Sequence, residues 1–531
     1  MSNVIFELES SVSITKKWGA FKLPNGKTLN EHFTLNDMPF WEIMSPYIAL
    51  YEVPQVLSNA ATKTTALSYF RPNIALVKRN VLNSIKSFKV KRNINNSWPD
   101  DSVFLFLGFS DYMYRDVLAP VAEYLINEKR GSCLILHDGF ENQSLTSSKI
   151  NSQSIWKYKD KRIDVEIKYL QKQIKKAVKE FQEMNIYHEM INDGDYTLWP
   201  KIKDAFNWLF SFHFPLMAPQ VVIASHLLKR YHISLIFSPD LPDPRVRVYA
   251  LLSRQLNIPL FEVQFGPNGD EGVEWRFNIA DRIATWGKNT YQKLLKHGVN
   301  SDIISITGTP RHDYMAKTIS KLEILEIRKL LRIPESVKMI LCASTYQQKE
   351  YDSLSDPDLL ISMKKAVFEA ANQIEGLVLV VKPHPLENVD ETKKIIGKYK
   401  NIIVVDSKMD IRLLIKTCDA FVGFGTTATV DSLIAKKFTI CPSFPGWVWS
   451  EMFVESNATV VPRTPSEIVS AFRKVANDSS EEVIVQLEFA RQNFLENLAF
   501  KCDGNASERI GLIAVELVNK NLHDLSISKI T

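Results

Sequence analysis

Four short loops in the second half of the chain collect polar residues that could do chemistry, and each follows an apolar run. After LVLVV comes Lys382-Pro383-His384-Pro385, and after AFVGF come Gly425, Thr426 and Thr427. After ISIT comes Gly308-Thr309-Pro310-Arg311, and after FEVQF comes Gly266-Pro267-Asn268-Gly269-Asp270-Glu271-Gly272. Gly425-Thr426-Thr427 has the parts of an anion site. A glycine lets backbone approach, two hydroxyls donate, and a helix N-terminus adds unpaired N–H groups and a favourable dipole. A threonine there can also cap a helix with no ligand at all.

The other three loops divide in the same way. Prolines on both sides of His384 stiffen its loop and hold the imidazole at a strand end. There it can donate to a phosphate oxygen, protonate a leaving phosphate, or merely satisfy a backbone carbonyl. Lys382 is either a phosphate partner or an exposed strand end. Arg311 carries a planar fork suited to diphosphate or carboxylate, though a single loop arginine is commonly structural. Asp270 and Glu271 stand between two glycines, as suits a general base for a hydroxyl or a carboxylate nucleophile. Adjacent loop acids are also common as solvated surface.

These loops need a scaffold that brings strand ends together. Uninterrupted apolar runs alternate with helical patterns from Ser102 onward, which predicts parallel sheets covered on both faces. The first series holds SVFLFLGFS, SCLILHDG, HISLIFSPD, IPLFEVQFG, ADRIATWG and DIISITGTPR; the second holds KMILCAST, LVLVVKPHP, NIIVVDS, AFVGFG, FTICPS and ATVVP. Two Rossmann-like doubly wound α/β lobes facing across a cleft are expected, with ligands beyond the carboxyl ends of the strands. The expected organisation is an N-terminal extension or small module over 1–98 and a first lobe over 99–310 with a helical insertion at about 151–230. A second lobe over 311–515 and a tail over 516–531 follow.

The 531 residues carry 65 Lys+Arg against 60 Asp+Glu, a net charge of +5 that is too small and too dispersed for a dedicated nucleic-acid binder. Five scattered cysteines form no CxxC pair, so neither a disulfide framework nor a metal site is expected. The opening MSNVIFELESSVSITKKWG places acids in its only apolar stretch and is not expected to act as a secretory signal. Residues 205–228 carry no formal charge but are interrupted by Pro215, Pro219 and two histidines, which favours a buried helix pair over a membrane span. A Lys-rich helical pattern precedes them, with Ile163, Ile167, Leu170, Ile174, Ala177, Val178 and Phe181 on one stripe. The charged face of that helix is expected to be solvated, with contact to anionic lipid as the alternative, and the expected location is cytoplasmic or peripheral on the inner face of the membrane.

The second lobe resembles the nucleotide-binding half of GT-B glycosyltransferases of bacterial surface polysaccharide assembly. ITGTPRHD, VVKPHPLE, GFGTTATVDSLIAKK and FKCDGNASERI carry the likeness, over roughly residues 230–515. It is similar to the group holding polysialyltransferases, Kdo transferases and CDP-glycerol polymer synthases. Bacterial sialyltransferases of this kind carry an acidic motif, a His-Pro motif and a hydroxyl motif in that order. Asp270-Glu271-Gly272, His384-Pro385 and Thr426-Thr427 match them, with two threonines where serine is usual. The resemblance implies that Asp270 or Glu271 is the base and that His384, Thr426 and Thr427 hold the nucleotide phosphate. It implies a metal-independent glycosyltransferase for capsule or lipopolysaccharide, without a cofactor, moving an acidic sugar from a CMP-linked donor to a glycan or glycolipid acceptor. The alternatives are a UDP-sugar 2-epimerase, a CDP-glycerol-type phosphotransferase, or a non-catalytic sugar-nucleotide binder. An epimerase usually pairs two acids in the last loop, where TTATVDS has only Asp431. A retaining mechanism would add Asp240 and Asp243 as acid candidates.

Overall fold

The apolar runs become parallel strands because both of their faces are covered. In the computed structural model β1 (Val103–Leu107) is buried at every position, a pattern only a central strand of a two-sided sheet sustains. β2 (Ser132–His137), β3 (Asn151–Ser154), β4 (Ile233–Ser238), β5 (Leu260–Val263), β6 (Arg282–Thr285) and β7 (Ile304–Ile306) complete a seven-stranded sheet of order β7-β6-β5-β4-β1-β2-β3. A second sheet contains β8 (Lys338–Ala343), β9 (Leu377–Lys382), β10 (Ile402–Val404), β11 (Ala420–Gly423) and β12 (Phe438–Ile440), in the order β10-β9-β8-β11-β12. Both are doubly wound: the order reverses beside the first strand, between β1 and β4 and between β8 and β11. Such reversal points open a crevice for ligands at the carboxyl ends. The structure describes residues 2–53, 66–90, 103–109, 113–139, 150–193, 196–197, 205–266, 273–346, 357–385, 387–397 and 399–528.

The chain forms two units. One holds Met1–Thr285, Tyr291–Ser305 and Ser507–Thr531; the other holds Trp286–Thr290 and Ile306–Ala506. The N-terminal residues are thus part of the first unit, and the second takes Trp286–Thr290 before its main stretch from Ile306. The expected tail from 516 continues the helix Ala506–Ser528, whose residues from Ser507 onward belong to the first unit. Two strand expectations differ. ATVV contributes a single bridge, Ile440 to Val460, where prolines close the segment off. β3, reading NSQS, is a polar strand at the sheet's edge that no apolar run could announce.

In the first unit Phe33 packs on Phe181, Phe210 and Phe214, and Trp18 and Trp41 pack on Phe206. The N-terminal aromatics therefore share one core with the helices Lys161–Glu183 and Ala205–Arg230. All seven apolar-stripe positions of Lys161–Glu183 are buried, and Asp160 caps it through the amide of Ile163. Its outer face carries i,i+4 ion pairs such as Arg162 with Glu166 and Lys168 with Asp164, the solvated surface that such charge spacing favours.

Residues 205–230 form one helix where a pair was expected. By length and composition it could cross a membrane, yet most of it is buried inside the unit. A π-helical turn at Leu209–His213 stands just before Pro215, with Phe214 between them, accommodating a residue with no N–H to give the turn before it. Pro219 leaves the carbonyl of Pro215 without its helical donor, and Gln171 Nε2 supplies one at 3.1 Å.

Candidate functional site

The carboxyl edge of the five-stranded sheet brings two of the singled-out loops to one end of the second unit. Ala343 is in register with Lys382 on one side and with Gly423 on the other, so β8, β9 and β11 end level. The KPHP turn and the Gly425-Thr426-Thr427 turn flank the end of β8, two strand spacings apart, about 10 Å.

Gly425 has φ +84°, a left-handed conformation that favours glycine. A Cβ there would stand 2.0 Å from the carbonyl oxygen of Trp449. Both facts require glycine, and the turn is pressed onto the Trp449–Ser450 backbone. The helix Thr427–Ile434 starts directly afterwards with Thr426 at the N-cap. The capping reading of Thr426 does not hold: its side chain makes no cap hydrogen bond, and its buried Oγ1 has no partner. An open helix N-terminus with a spare hydroxyl beside it can receive an anion.

His384 is half-buried, its ring 4.7 Å from that of Tyr346, which follows β8. Its backbone is clamped by Glu387: the N–H of His384 donates to Glu387 Oε2 at 3.0 Å, and the N–H of Glu387 donates to the carbonyl of His384 at 2.9 Å. The nearly buried Glu387 Oε1 also accepts from Ser344 Oγ at 2.8 Å, Lys364 Nζ at 2.6 Å and Thr392 Oγ1 at 2.5 Å. Burial opposes charge on Glu387, but Lys364 and the hydroxyl donors outweigh it and hold the carboxyl below its usual range. Burial, then the neighbouring Lys382, pushes the His384 imidazole below its ordinary value, against the pull of Glu387. The neutral form of His384 is thereby favoured, and a neutral imidazole carries one N–H donor.

Two expected ligand contacts are otherwise engaged. Lys382 is buried, and its ammonium donates to the carbonyls of Ser407 at 2.9 Å and Pro383 at 3.3 Å, tying the ends of β9 and β10. The Arg311 fork closes on Asp431, with Nε at 3.2 and 3.1 Å from the two carboxylate oxygens and both side chains buried. Arg311 is the second residue of the helix Pro310–Ala316, and Gly308 before it turns with φ +75°. Pro385 follows His384 at the surface.

Asp270 and Glu271 lie outside the described residues. Of the reserve acids, Asp243 caps the helix Pro244–Gln255 through the amide of Arg245 and pairs with that arginine's Nη2 at 2.6 Å; the amide of Asp240 donates to Ser238 Oγ.

Sequence reasoning missed Glu387, Lys364 and Ser344. A signal was present: Lys364 falls among Leu360, Met363 and Val367 on the buried stripe of the helix Pro357–Asn372. A lysine on such a stripe needs an ionic partner. It also missed a cluster at the carboxyl edge of the seven-stranded sheet, where Asp138 after β2 meets Lys86, Arg245 and the indole N–H of Trp156. Among the described residues no group of three His, Cys, Asp or Glu side chains is placed to hold a metal ion.

Among curated proteins none matches the sequence. The chain is similar in structure to the wall teichoic acid polymerase TagF soaked with CDPG (14% identity, TM-score 0.49, covering 86% of this chain and 100% of that one). It is also similar to the Staphylococcus aureus MnaA–UDP co-structure (14%, 0.48, 77% and 95%) and to a glycosyltransferase from Rickettsia africae (13%, 0.46, 79% and 99%). Residues 285–423 match the family of CDP-Glycerol:Poly(glycerophosphate) glycerophosphotransferases, and on that match the chain is an enzyme of glycosyl- or phosphotransferase type.

Proposed function

We propose that this enzyme transfers glycerol phosphate, or a closely related polyol phosphate, from a CDP-activated donor to a hydroxyl of a surface polymer, with release of CMP. The family match over 285–423 carries the reading. It spans the Arg311 loop and the KPHP turn and ends on Gly423, the last residue of β11. Of the functions expected from sequence, it favours the CDP-glycerol-type phosphotransferase over transfer of a CMP-linked acidic sugar.

In such a transfer the acceptor oxygen bonds to the donor's β-phosphorus and the bridging P–O bond to CMP breaks. The acceptor proton passes to a base, for which Asp270 and Glu271 remain the candidates, and CMP leaves with added negative charge. The N-terminus of the helix Thr427–Ile434, the Thr426 hydroxyl and the ring N–H of His384 are suited to meet that charge.

Both donor types release CMP, so the product must be followed as well as the nucleotide. The purified enzyme is incubated with CDP-glycerol, CMP-sialic acid, CMP-Kdo or UDP-GlcNAc and a polyol-phosphate primer, with chromatography of nucleotides and mass spectrometry of the primer. CMP release with a glycerophosphate mass increment is expected from CDP-glycerol alone. A sugar increment from a CMP-sugar, or epimerisation of UDP-GlcNAc, would replace this reading.

A further inference from the structure

The helix Ala66–Val90 lies on the first unit with its amphipathic character reversed. Its inward face carries Leu76, Asn83 and Ser87, all buried, and Ser87 Oγ donates to the carbonyl of Trp156 at 3.1 Å. Lys86 reaches the carbonyl of Asp138 at 2.7 Å. Outward it presents Ile74 (64% exposed), Val77 (63%), Val81 (54%), Ile85 (43%) and Phe88 (62%), with Leu82 (43%) alongside. Spaced three, four, four and three residues apart, the first five form one stripe along some 20 Å of helix. A soluble helix turns such a stripe toward its core. A continuous apolar surface facing outward marks a place where something else is bound.

The charge on this helix identifies the occupant. It contains Arg71, Lys78, Arg79, Lys86 and Lys89 and no Asp or Glu. Lys78 is exposed one position from Val77, at the border of the stripe. An apolar stripe bordered by Lys78, on a helix without a single acid, matches an anionic bilayer surface: apolar side chains enter the acyl region while an ammonium group stays with the headgroups. We propose that Ala66–Val90 is an interfacial helix that seats this unit on an anionic membrane. Neither of the two segments expected from sequence to make that contact turns its apolar stripe outward. The stripe of Lys161–Glu183 is buried, as is most of Ala205–Arg230.

The test is flotation of the full chain with phosphatidylglycerol/phosphatidylethanolamine vesicles and with phosphatidylcholine vesicles, at low and high salt. Wild type should float with the anionic vesicles and much less with phosphatidylcholine. Val77→Ser/Val81→Ser/Ile85→Ser should weaken binding by about tenfold or more, with an unchanged melting temperature because the three side chains face outward. Lys78→Ala/Arg79→Ala should weaken binding at low salt and little at high salt. In a second measurement, the emission of Val81→Trp should shift to the blue on anionic vesicles and be quenched by brominated lipid. The inference is overturned if wild type stays unbound, or if the serine variant floats as well as wild type. A dimer in solution that the serine variant dissolves, with no lipid binding, would assign the stripe to a second copy instead. None of these readouts uses the donor, so the result stands apart from the proposed reaction.

Discussion

Arg311 and Asp431 form a bidentate ion pair within the second unit, 120 residues apart in sequence. Arg311 opens the helix after the Gly308 turn, and Asp431 sits one turn inside the helix headed by Thr426 and Thr427. The pair therefore fastens the loop after β7 to the element carrying the Gly425-Thr426-Thr427 turn. It positions that turn and leaves the guanidinium no free fork for a diphosphate. Removing one partner strands a buried charge, at a cost of about 3–5 kcal/mol. Asp431→Asn and Arg311→Met should each lower the unfolding free energy in urea by that order. The double variant Arg311→Met/Asp431→Leu should recover much of the loss. If the single variants unfolded like wild type, the pair would not be holding the turn.

Thr426 separates a cap from a ligand contact. A capping threonine loses about 1 kcal/mol of stability on change to alanine, whereas the Oγ1 of Thr426 has no protein partner to lose. Thr426→Ala should leave the urea midpoint unchanged while calorimetry records weaker CMP binding. His384→Ala and the pair Thr426→Ala/Thr427→Ala should each cost about 1.5–3 kcal/mol of binding, the range for a hydrogen bond to a charged group. CMP affinity equal to wild type in all three would remove these residues from the site.

Acid should reveal a buried histidine next to the ion pair. The His312 ring packs edge-on against Trp286 at 4.7 Å, and its Nε2 is 3.8 Å from Asp431, beyond hydrogen-bond reach. Burial, then Arg311, pushes its pKa from the ordinary 6.5 down to about 3. Between those values the unfolded chain takes up a proton that the folded chain does not, so stability falls as pH falls. One such group contributes a slope of about 1.4 kcal/mol per pH unit. His213 in the other unit, pushed down to about 4 by burial, adds its own slope. Glu387 joins only below 4.5, so the window for the histidines is pH 6.5 to 4.5. In urea titrations across it, His312→Phe should remove one histidine's share of the slope while keeping the aromatic contact. An unaltered slope would mean that His312 is not held neutral.

Strands whose two faces are covered write themselves as unbroken apolar runs, which is why β1, β4, β8, β9 and β11 could be placed and their carboxyl ends compared. β3 is polar and lies at the sheet's edge, so nothing in NSQS distinguishes it from a loop. The N-terminal residues were unreadable because Trp18, Phe33 and Trp41 find their partners beyond residue 180. The site loops could be listed from sequence because glycine, proline and polar residues cluster after apolar runs. Their roles could not. Whether Arg311 meets a ligand or Asp431, or Lys382 a phosphate or the carbonyl of Ser407, depends on residues far along the chain.

The acidic loop remains the test of chemistry as distinct from binding. Asp270 and Glu271 follow β5, a strand of the seven-stranded sheet whose carboxyl end is where a doubly wound unit places ligands. A carboxylate there can accept the acceptor's hydroxyl proton as the new P–O or C–O bond forms, a role worth roughly 10²–10⁴ in rate. Asp270→Asn and Glu271→Gln remove the charge with little change of shape. One of them should lose transfer by that factor while binding CMP as wild type does, because the turn proposed to hold the phosphate lies in the other unit. A base also leaves a kinetic trace: in the wild type, transfer at subsaturating acceptor should fall as the pH drops through the carboxylate's pKa, and the inactive variant should lack that limb. If the acid attacked the donor instead, mass spectrometry after rapid acid quench would find the transferred group on the protein. Wild-type turnover by both variants would move the search to Asp240, since Asp243 is committed to capping its helix and pairing with Arg245.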